Sequence, residues 1–107
     1  MSLEALRESL PAYAKDIATN LGNLAGETIL SDQQKWGCFV AAAHAIGEPR
    51  VVKAVEAEAA QAGLSEETKI AAKAAAAIMA MNNIYYRAIH IMQSAEYRTL
   101  PAHLRMT

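Results

Sequence analysis

The chain has 107 residues, with 10 basic and 11 acidic side chains and a formal net charge of −1. This length fits one domain, which we take to span residues 1–107. The charges form no basic block, which excludes a nucleic-acid footprint and electrostatic attraction to anionic membranes. The single cysteine, Cys38, excludes a disulfide within the chain.

Targeting signals and membrane spans are also excluded by the sequence. Charged residues interrupt positions 1–17, so this segment is not a secretory signal. The longest weakly polar run, residues 74–81, is far shorter than the roughly 20 residues that span a bilayer. We therefore expect a soluble cytoplasmic protein in a reducing environment.

Composition and capping signals predict an all-α fold, a compact bundle of about five to six helices. The sequence has 24 alanines but only five glycines and three prolines, which favours helix throughout. Ser2 is the predicted N-cap of a short first helix. Pro11 restarts the chain at a first-turn position. The apolar face of the second helix consists of Tyr13, Ile17, Leu21 and Leu24.

The third helix has the clearest start signal. Ser31, with Gln34 three residues later, forms a capping-box signature, and Gly47 ends the helix. The residues that this helix directs toward a core are Trp36, Phe39, Val40 and Ala43.

Two further helices follow. Pro49 opens the fourth, which ends at Gly63. Its inward face consists of Val51, Val52, Val55 and Ala59. Ser65 caps the fifth helix, which continues or bends at residues 82–83 and runs on toward Ser94.

The fifth helix presents a burial problem. Its first turns carry a polar stripe of Glu66, Lys69 and Lys73. Residues 74–81 are then apolar on every side, a pattern typical of a helix that is buried all round. A chain of 107 residues has too few elements to surround such a helix. We therefore expect partner subunits or further chain to cover it.

The thiol and the histidines form no catalytic or metal-binding pattern. Cys38 has no second cysteine three residues away, and His44 lies about 240° round the helix from it, so we expect Cys38 to be a small buried apolar residue. His44, His90 and His103 form no i, i+4 pair, and no Glu-x-x-His occurs, which excludes the signatures of di-iron bundles and helical zinc proteases. We expect structural or surface histidines. We predict no catalytic residue, no metal ligand and no cofactor-binding residue in this chain.

The remaining polar groups have two interpretations each. Asn82 and Asn83 could contact a ligand, or they could form an inter-helix hydrogen bond or break the helix, which is the more frequent use of asparagine. The Tyr-Tyr-Arg segment 85–87 could stack across an interface or lie at the edge of a core. Glu56 and Glu58 point to different faces of their helix, and we expect both to be solvated.

Four segments carry a resemblance to a known family: LPAYAKDI at 10–17, Trp36-Gly37, AIMAMNNIYYR at 77–87 and Leu104-Arg105-Met106. They resemble the N-terminal half of alkylhydroperoxidase D, the antioxidant member of the carboxymuconolactone decarboxylase-like superfamily. The segments occur in the family's order and spacing, and the resemblance covers essentially the whole chain, from the first helix to the last residue.

The resemblance implies an all-helical protein that assembles as a homotrimer. In the family, a Cys-x-x-Cys pair reduces peroxides, and a neighbouring Glu and His relay protons and activate the thiol. Electrons arrive from a lipoylated dehydrogenase subunit, and the protein can reduce a partner peroxiredoxin. This chemistry needs a thiolate for the attack and a second thiol that resolves the sulfenic acid.

The chain departs from the family pattern at the active site. The family's Glu, Cys-x-x-Cys and His belong to its C-terminal half, and no residue here matches any of them. If the two halves are related repeats, the cysteine position falls at residues 46–49, Ile-Gly-Glu-Pro, which contain no thiol. Cys38 lies eight residues earlier, within the third helix, and is not a displaced catalytic cysteine.

We therefore expect a half-protein, the non-catalytic helical scaffold of an alkylhydroperoxidase D-type enzyme. Such a scaffold would pack the active-site half and contribute to the subunit interface, and alone it would be inactive. One alternative is a freestanding helical interaction or oligomerisation module. A second alternative is a one-cysteine peroxidase that uses Cys38.

Overall fold

The computed structural model describes residues 1–101. A short 3₁₀ turn at Ala12–Ala14 accompanies six α-helices within those residues. The helices are α1 (Leu3–Glu8), α2 (Lys15–Gly26), α3 (Asp32–Ile46), α4 (Pro49–Gln61), α5 (Glu66–Met92) and α6 (Ala95–Arg98). No strand occurs in residues 1–101, and the prediction of an all-α fold is confirmed. His103 and the segment 104–106 lie outside the described residues.

The predicted N-caps are confirmed. The Ser2 hydroxyl accepts a hydrogen bond from the Ala5 N–H at 3.0 Å, and the Ser65 hydroxyl accepts one from Thr68 at 3.1 Å. At Ser31 both bonds of the capping box form. Each cap satisfies backbone donors that the first helical turn leaves without a partner. The second helix begins later than predicted, because Pro11 precedes the 3₁₀ turn and α2 starts only at Lys15.

Glycines end α3 and follow α4. Gly47 is the C-cap of α3 with φ 76°, and Gly63, one residue after the α4 C-cap, has φ 80°. Only a residue without a Cβ adopts these left-handed values at little cost. Both turns let the chain reverse, so that α4 and α5 fold back against α3.

The core lies around α3, which packs against α4 and α5, while α1 packs against α4 and α2. Val40 has no exposed surface, and the predicted inward face of α3 is confirmed, with Phe39 partly buried. The core residues are Leu3, Trp36, Val40, Ala43, Val55, Ala59 and Ala72. Three of the seven are alanines, whose short side chains let the helices approach closely.

The two halves of α5 have different surroundings. In the first half Ala72 lies in the core, and Thr68 packs closely against Gly37 of α3. From residue 79 to residue 101, Ile89 is the only buried side chain. A helix of 27 residues is about 40 Å long, and the second half of α5 extends beyond the other helices. The molecule accordingly measures 50 × 35 × 27 Å.

Residues 1–101 do not bury residues 74–81, although the sequence pattern predicts that this segment is buried. Ala77, Met79, Ala80 and Met81 are exposed, and their neighbours are at most half-buried. The reason is geometric: α3 packs against one side of α5 along its first turns, and no other described helix packs against the remaining sides.

We expect Gly47→Ala to lower the free energy of unfolding by about 1–2 kcal/mol, because a Cβ strains the left-handed backbone at this position. Gly26→Ala is the matched control. Gly26 ends α2 with an ordinary φ, and an added Cβ would meet nothing within 4 Å. Urea denaturation of both variants measures the difference, and equal stabilities would contradict the role given to Gly47.

Candidate functional site

A polar cluster joins three helices. Glu56 of α4 accepts hydrogen bonds at one oxygen, Oε1, from His44 Nε2 of α3 at 2.8 Å and from Lys73 Nζ of α5 at 3.1 Å. The side chains of His44 and Glu56 are 27% and 28% exposed. We call these three residues the His44–Glu56–Lys73 cluster. It is the densest group of interacting titratable side chains in the described part of the chain.

The cluster holds Glu56 in its ionised form. The hydrogen bond from His44 lowers the pKa of the Glu56 carboxyl most, the bond from Lys73 lowers it further, and partial burial opposes both. The prediction that Glu56 is solvated is wrong, because α4 turns this side chain toward both α3 and α5. One indirect signal for this contact is present in the sequence, because Glu56 directly follows the buried Val55.

The chemistry that this cluster can perform is limited. A carboxylate beside an imidazole can hold or pass a proton. A peroxidase also needs a nucleophile, and Cys38 contributes no contact to the cluster. Among residues 1–101 no group of three His, Cys, Asp or Glu side chains could hold a metal ion.

Cys38 is exposed, and the prediction of a buried thiol is wrong. It lies on the side of α3 opposite the core, in an open apolar groove of about 550 Å³ between α3, the end of α2 and the loop that follows it. The groove is lined by Leu24, Glu27, Ile29, Leu30, Lys35, Cys38, Phe39 and Ala42. The end of α2 and the loop after it border the groove but do not close it, so nothing in residues 1–101 covers the thiol.

The thiol also lacks the setting that activates a catalytic cysteine. Thiolates are stabilised at helix N-termini or next to cationic groups. Cys38 lies in the second turn of α3, beyond the capping box. Among residues 1–101, the only amine that lines the groove is that of Lys35, and it donates to two backbone carbonyl groups.

Residues 46–49, where the cysteine position falls if the two halves of the family are related repeats, form the junction between α3 and α4. The N-terminus of α4 lies there, and the side chain that caps it is a carboxylate. Glu48 is the N-cap of α4, where it accepts from the Val51 N–H at 3.0 Å and from Arg50 Nε at 3.0 Å. The hydrogen bond from Arg50 lowers the pKa of Glu48 most, followed by the bond from Val51. The junction therefore caps a helix and carries no redox group.

The asparagine pair lies within an uninterrupted helix. Asn82 is half-buried, Asn83 is exposed, and neither side chain forms a hydrogen bond with a described residue. The predicted inter-helix bond or helix break is therefore absent from this part of the chain. Both residues line a shallow surface hollow on the outer half of α5, together with Met79, Tyr86, Arg87, His90 and Ile91. Tyr85 instead turns toward α6 and donates to the Tyr97 carbonyl at 3.3 Å.

Lys35 is a structural residue that the sequence did not reveal. It is only 8% exposed, and its ammonium group donates to the carbonyls of Ala25 and Glu27 at 2.9 and 3.0 Å. These carbonyls belong to the C-terminal end of α2, where the helix dipole favours a cation. No local pattern announces such a contact, because the partners lie eight and ten positions away.

No family model matches the chain, but curated proteins do. It is 58% identical over 106 residues to the alkyl hydroperoxide reductase AhpD of Hyphomonas neptunium, covering 99% of this chain and 58% of that protein. The AhpD of Maricaulis maris is 57% identical, with 99% and 61% covered. That of Caulobacter vibrioides is 51% identical, with 99% and 58% covered.

The chain is AhpD-like. The resemblance drawn from the sequence motifs is thereby confirmed. The chain spans about three fifths of the length of the curated relatives it matches. No helix in residues 1–101 is long and apolar enough to cross a membrane.

We expect Glu56→Gln to lower the free energy of unfolding at pH 7 by about 0.5–1 kcal/mol, since the cluster is partly solvated. The folded-state pKa of Glu56 lies below its ordinary 4.5. Its contribution is therefore present above that value and is lost as the pH falls through the folded pKa.

Urea denaturation of the parent and the variant between pH 7 and pH 3 measures this effect. Glu58→Gln is the control, since Glu58 lies on the same helix and forms no hydrogen bond or ion pair with a described residue. If the stability difference between parent and Glu56→Gln does not shrink on acidification, the cluster does not stabilise the fold through the ionised carboxylate.

Proposed function

We propose that this chain is the helical scaffold of an AhpD-type protein that reduces alkyl hydroperoxides with a pair of thiols. The observation that carries the proposal is the 47–58% identity over 99% of the chain to proteins named alkyl hydroperoxide reductase AhpD. The activity belongs to the assembled protein, and residues 1–107 supply its framework.

The distribution of thiols supports a scaffold role. In a dithiol peroxidase, one thiolate attacks the peroxide oxygen, releasing the alcohol and leaving a sulfenic acid. The second thiol then displaces water to form the disulfide. This chain has one cysteine, which lies away from any activating group among residues 1–101. A carboxylate caps the helix at residues 46–49, where the cysteine position falls if the two halves of the family are related repeats. The two-electron chemistry therefore needs residues outside this chain.

The proposal includes a homotrimer in the cytoplasm, with a lipoylated dehydrogenase subunit as electron source and a peroxiredoxin as partner, as the resemblance implies. The exposed outer half of α5 supports the oligomer. Isolated apolar side chains are normal on a surface, whereas many of them close together mark an interaction site. The large exposed apolar side chains on this half of α5 are Met79, Ile84, Tyr86, Ile91 and Met92, and they lie on several faces of the helix.

We expect the purified chain to reduce cumene hydroperoxide no faster than buffer when dithiothreitol is the electron donor. The reason is that one thiol cannot complete the dithiol cycle. Cys38→Ser should behave like the parent. Turnover by the parent that disappears in Cys38→Ser would contradict the scaffold proposal and favour a one-cysteine peroxidase.

A chimera tests the positive side of the proposal. In it, this chain replaces the matched residues of the H. neptunium AhpD, and the remainder of that relative is kept. We expect the chimera to reduce cumene hydroperoxide within about tenfold of the intact relative, because a compatible framework preserves the geometry of the reacting groups. A folded chimera without activity would overturn the proposal, since the intact relative serves as the positive control.

Ala77→Asp tests the role of α5 in assembly. Ala77 is exposed in the chain, so a carboxylate there costs little in the monomer, but it would be desolvated in an interface. We expect the variant to dissociate in sedimentation equilibrium at concentrations where the parent is oligomeric. Ala57→Asp, at an exposed position of α4, is the control. A variant that remains as oligomeric as the parent would exclude this surface from the interface.

A further inference from the structure

The groove around Cys38 is a largely apolar concave surface on the side of α3 opposite the core. Its lining includes two small side chains of α3, Cys38 and Ala42, one helical turn apart. It also includes large apolar side chains, of which Ile29 is 93% exposed and Leu24 is 57% exposed. Small residues beside large ones leave room for the side chains of an inserted helix, as in ridges-into-grooves packing.

Polar contacts hold the groove in this shape. The buried ammonium group of Lys35 ties the end of α2 to α3 through the carbonyls of Ala25 and Glu27. The Glu27 carboxylate accepts from the Ile29 N–H at 2.8 Å. The loop that displays two apolar side chains to solvent is thus fixed from both sides. A surface held in place before its partner arrives loses less entropy on binding.

The groove differs from the exposed surface of α5. On α5 the apolar side chains alternate with Asn82, Asn83, Arg87 and His90, a mixture typical of contacts between separately folded subunits. Among the described residues that line the groove, two are charged, Glu27 and Lys35. The ammonium group of Lys35 donates to backbone carbonyls. This composition resembles a domain core that has been opened.

We propose that the groove is the docking face for the segment by which the longer AhpD proteins exceed this chain. About two fifths of the length of each relative lies outside the matched region. Helices of one domain pack around a shared core. The occupant is an apolar face of a helix from that segment, with Cys38 and Ala42 beneath it. The inference rests on the proposed function, because it assumes an AhpD-type assembly.

Cys38 reports on this contact directly, since thiol labelling depends on access. The experiment measures the rate at which DTNB labels Cys38 in the chain alone and in the chimera, after every cysteine in the relative's own part has been changed to serine. We expect labelling in the chimera to be at least about tenfold slower. The control, Ala57→Cys in a Cys38→Ser background, places a thiol on the exposed side of α4 and should label equally fast in both proteins.

Three outcomes decide between the possible occupants. Slow labelling of Cys38 only in the chimera supports the docking face. Equal labelling in both proteins overturns it, and if the chimera with its native cysteines is active, the proposed function stands without it. If labelling of the chain alone becomes slower as the protein concentration increases, the groove binds a second copy of the chain. That result also overturns the proposal. An inactive chimera would instead count against the proposed function.

Discussion

The whole fold depends on how α3 is covered. Val40 and Ala43 face inward and are covered by α4, α5 and the short α1, and this contact supplies most of the core. The opposite side of α3, at Cys38, Ala42 and Ile46, remains open to solvent. A central helix needs apolar cover on more than one side, and the six helices of residues 1–101, two of them very short, provide it on one. Both exposed surfaces of the molecule follow from that shortage.

α5 shows the same shortage in another form. Its first turns are fixed by Ala72 in the core and by the bond from Lys73 to Glu56, whereas the outer half extends away with its apolar residues exposed. Helices of this kind are stabilised chiefly by packing, because helix propensity alone is weak. The structure thus combines a well-packed centre with two surfaces whose composition is that of an interior. Such a combination is what a framework would have before the rest of its assembly packs against it.

Local signals predicted the helices well, and the contacts between helices poorly. Ser31, Gly47 and Ser65 act on their own neighbours in the chain, so capping patterns located α3 and α5. Burial depends on what lies opposite in space, and one sequence does not contain that information. For this reason Cys38 was expected inside and lies outside, and Glu56 was expected in solvent and binds His44 and Lys73. The motif at residues 77–87 correctly predicted the AhpD-like identity. A motif is recognised from the identity and order of its residues, so this prediction needed no knowledge of how they pack.

The most direct measurement of this account is amide hydrogen exchange along α5, in the chain alone at low concentration and in the chimera. If α5 is half packed and half uncovered, amides between residues 70 and 78 exchange slowly in both proteins, since those of the first turn have no intrahelical partner. Those between residues 79 and 92 exchange fast in the chain alone and slowly in the chimera, because exchange follows local opening. Uniform slow exchange along all of α5 in the dilute chain would contradict the account, since the outer half would then be stable without cover.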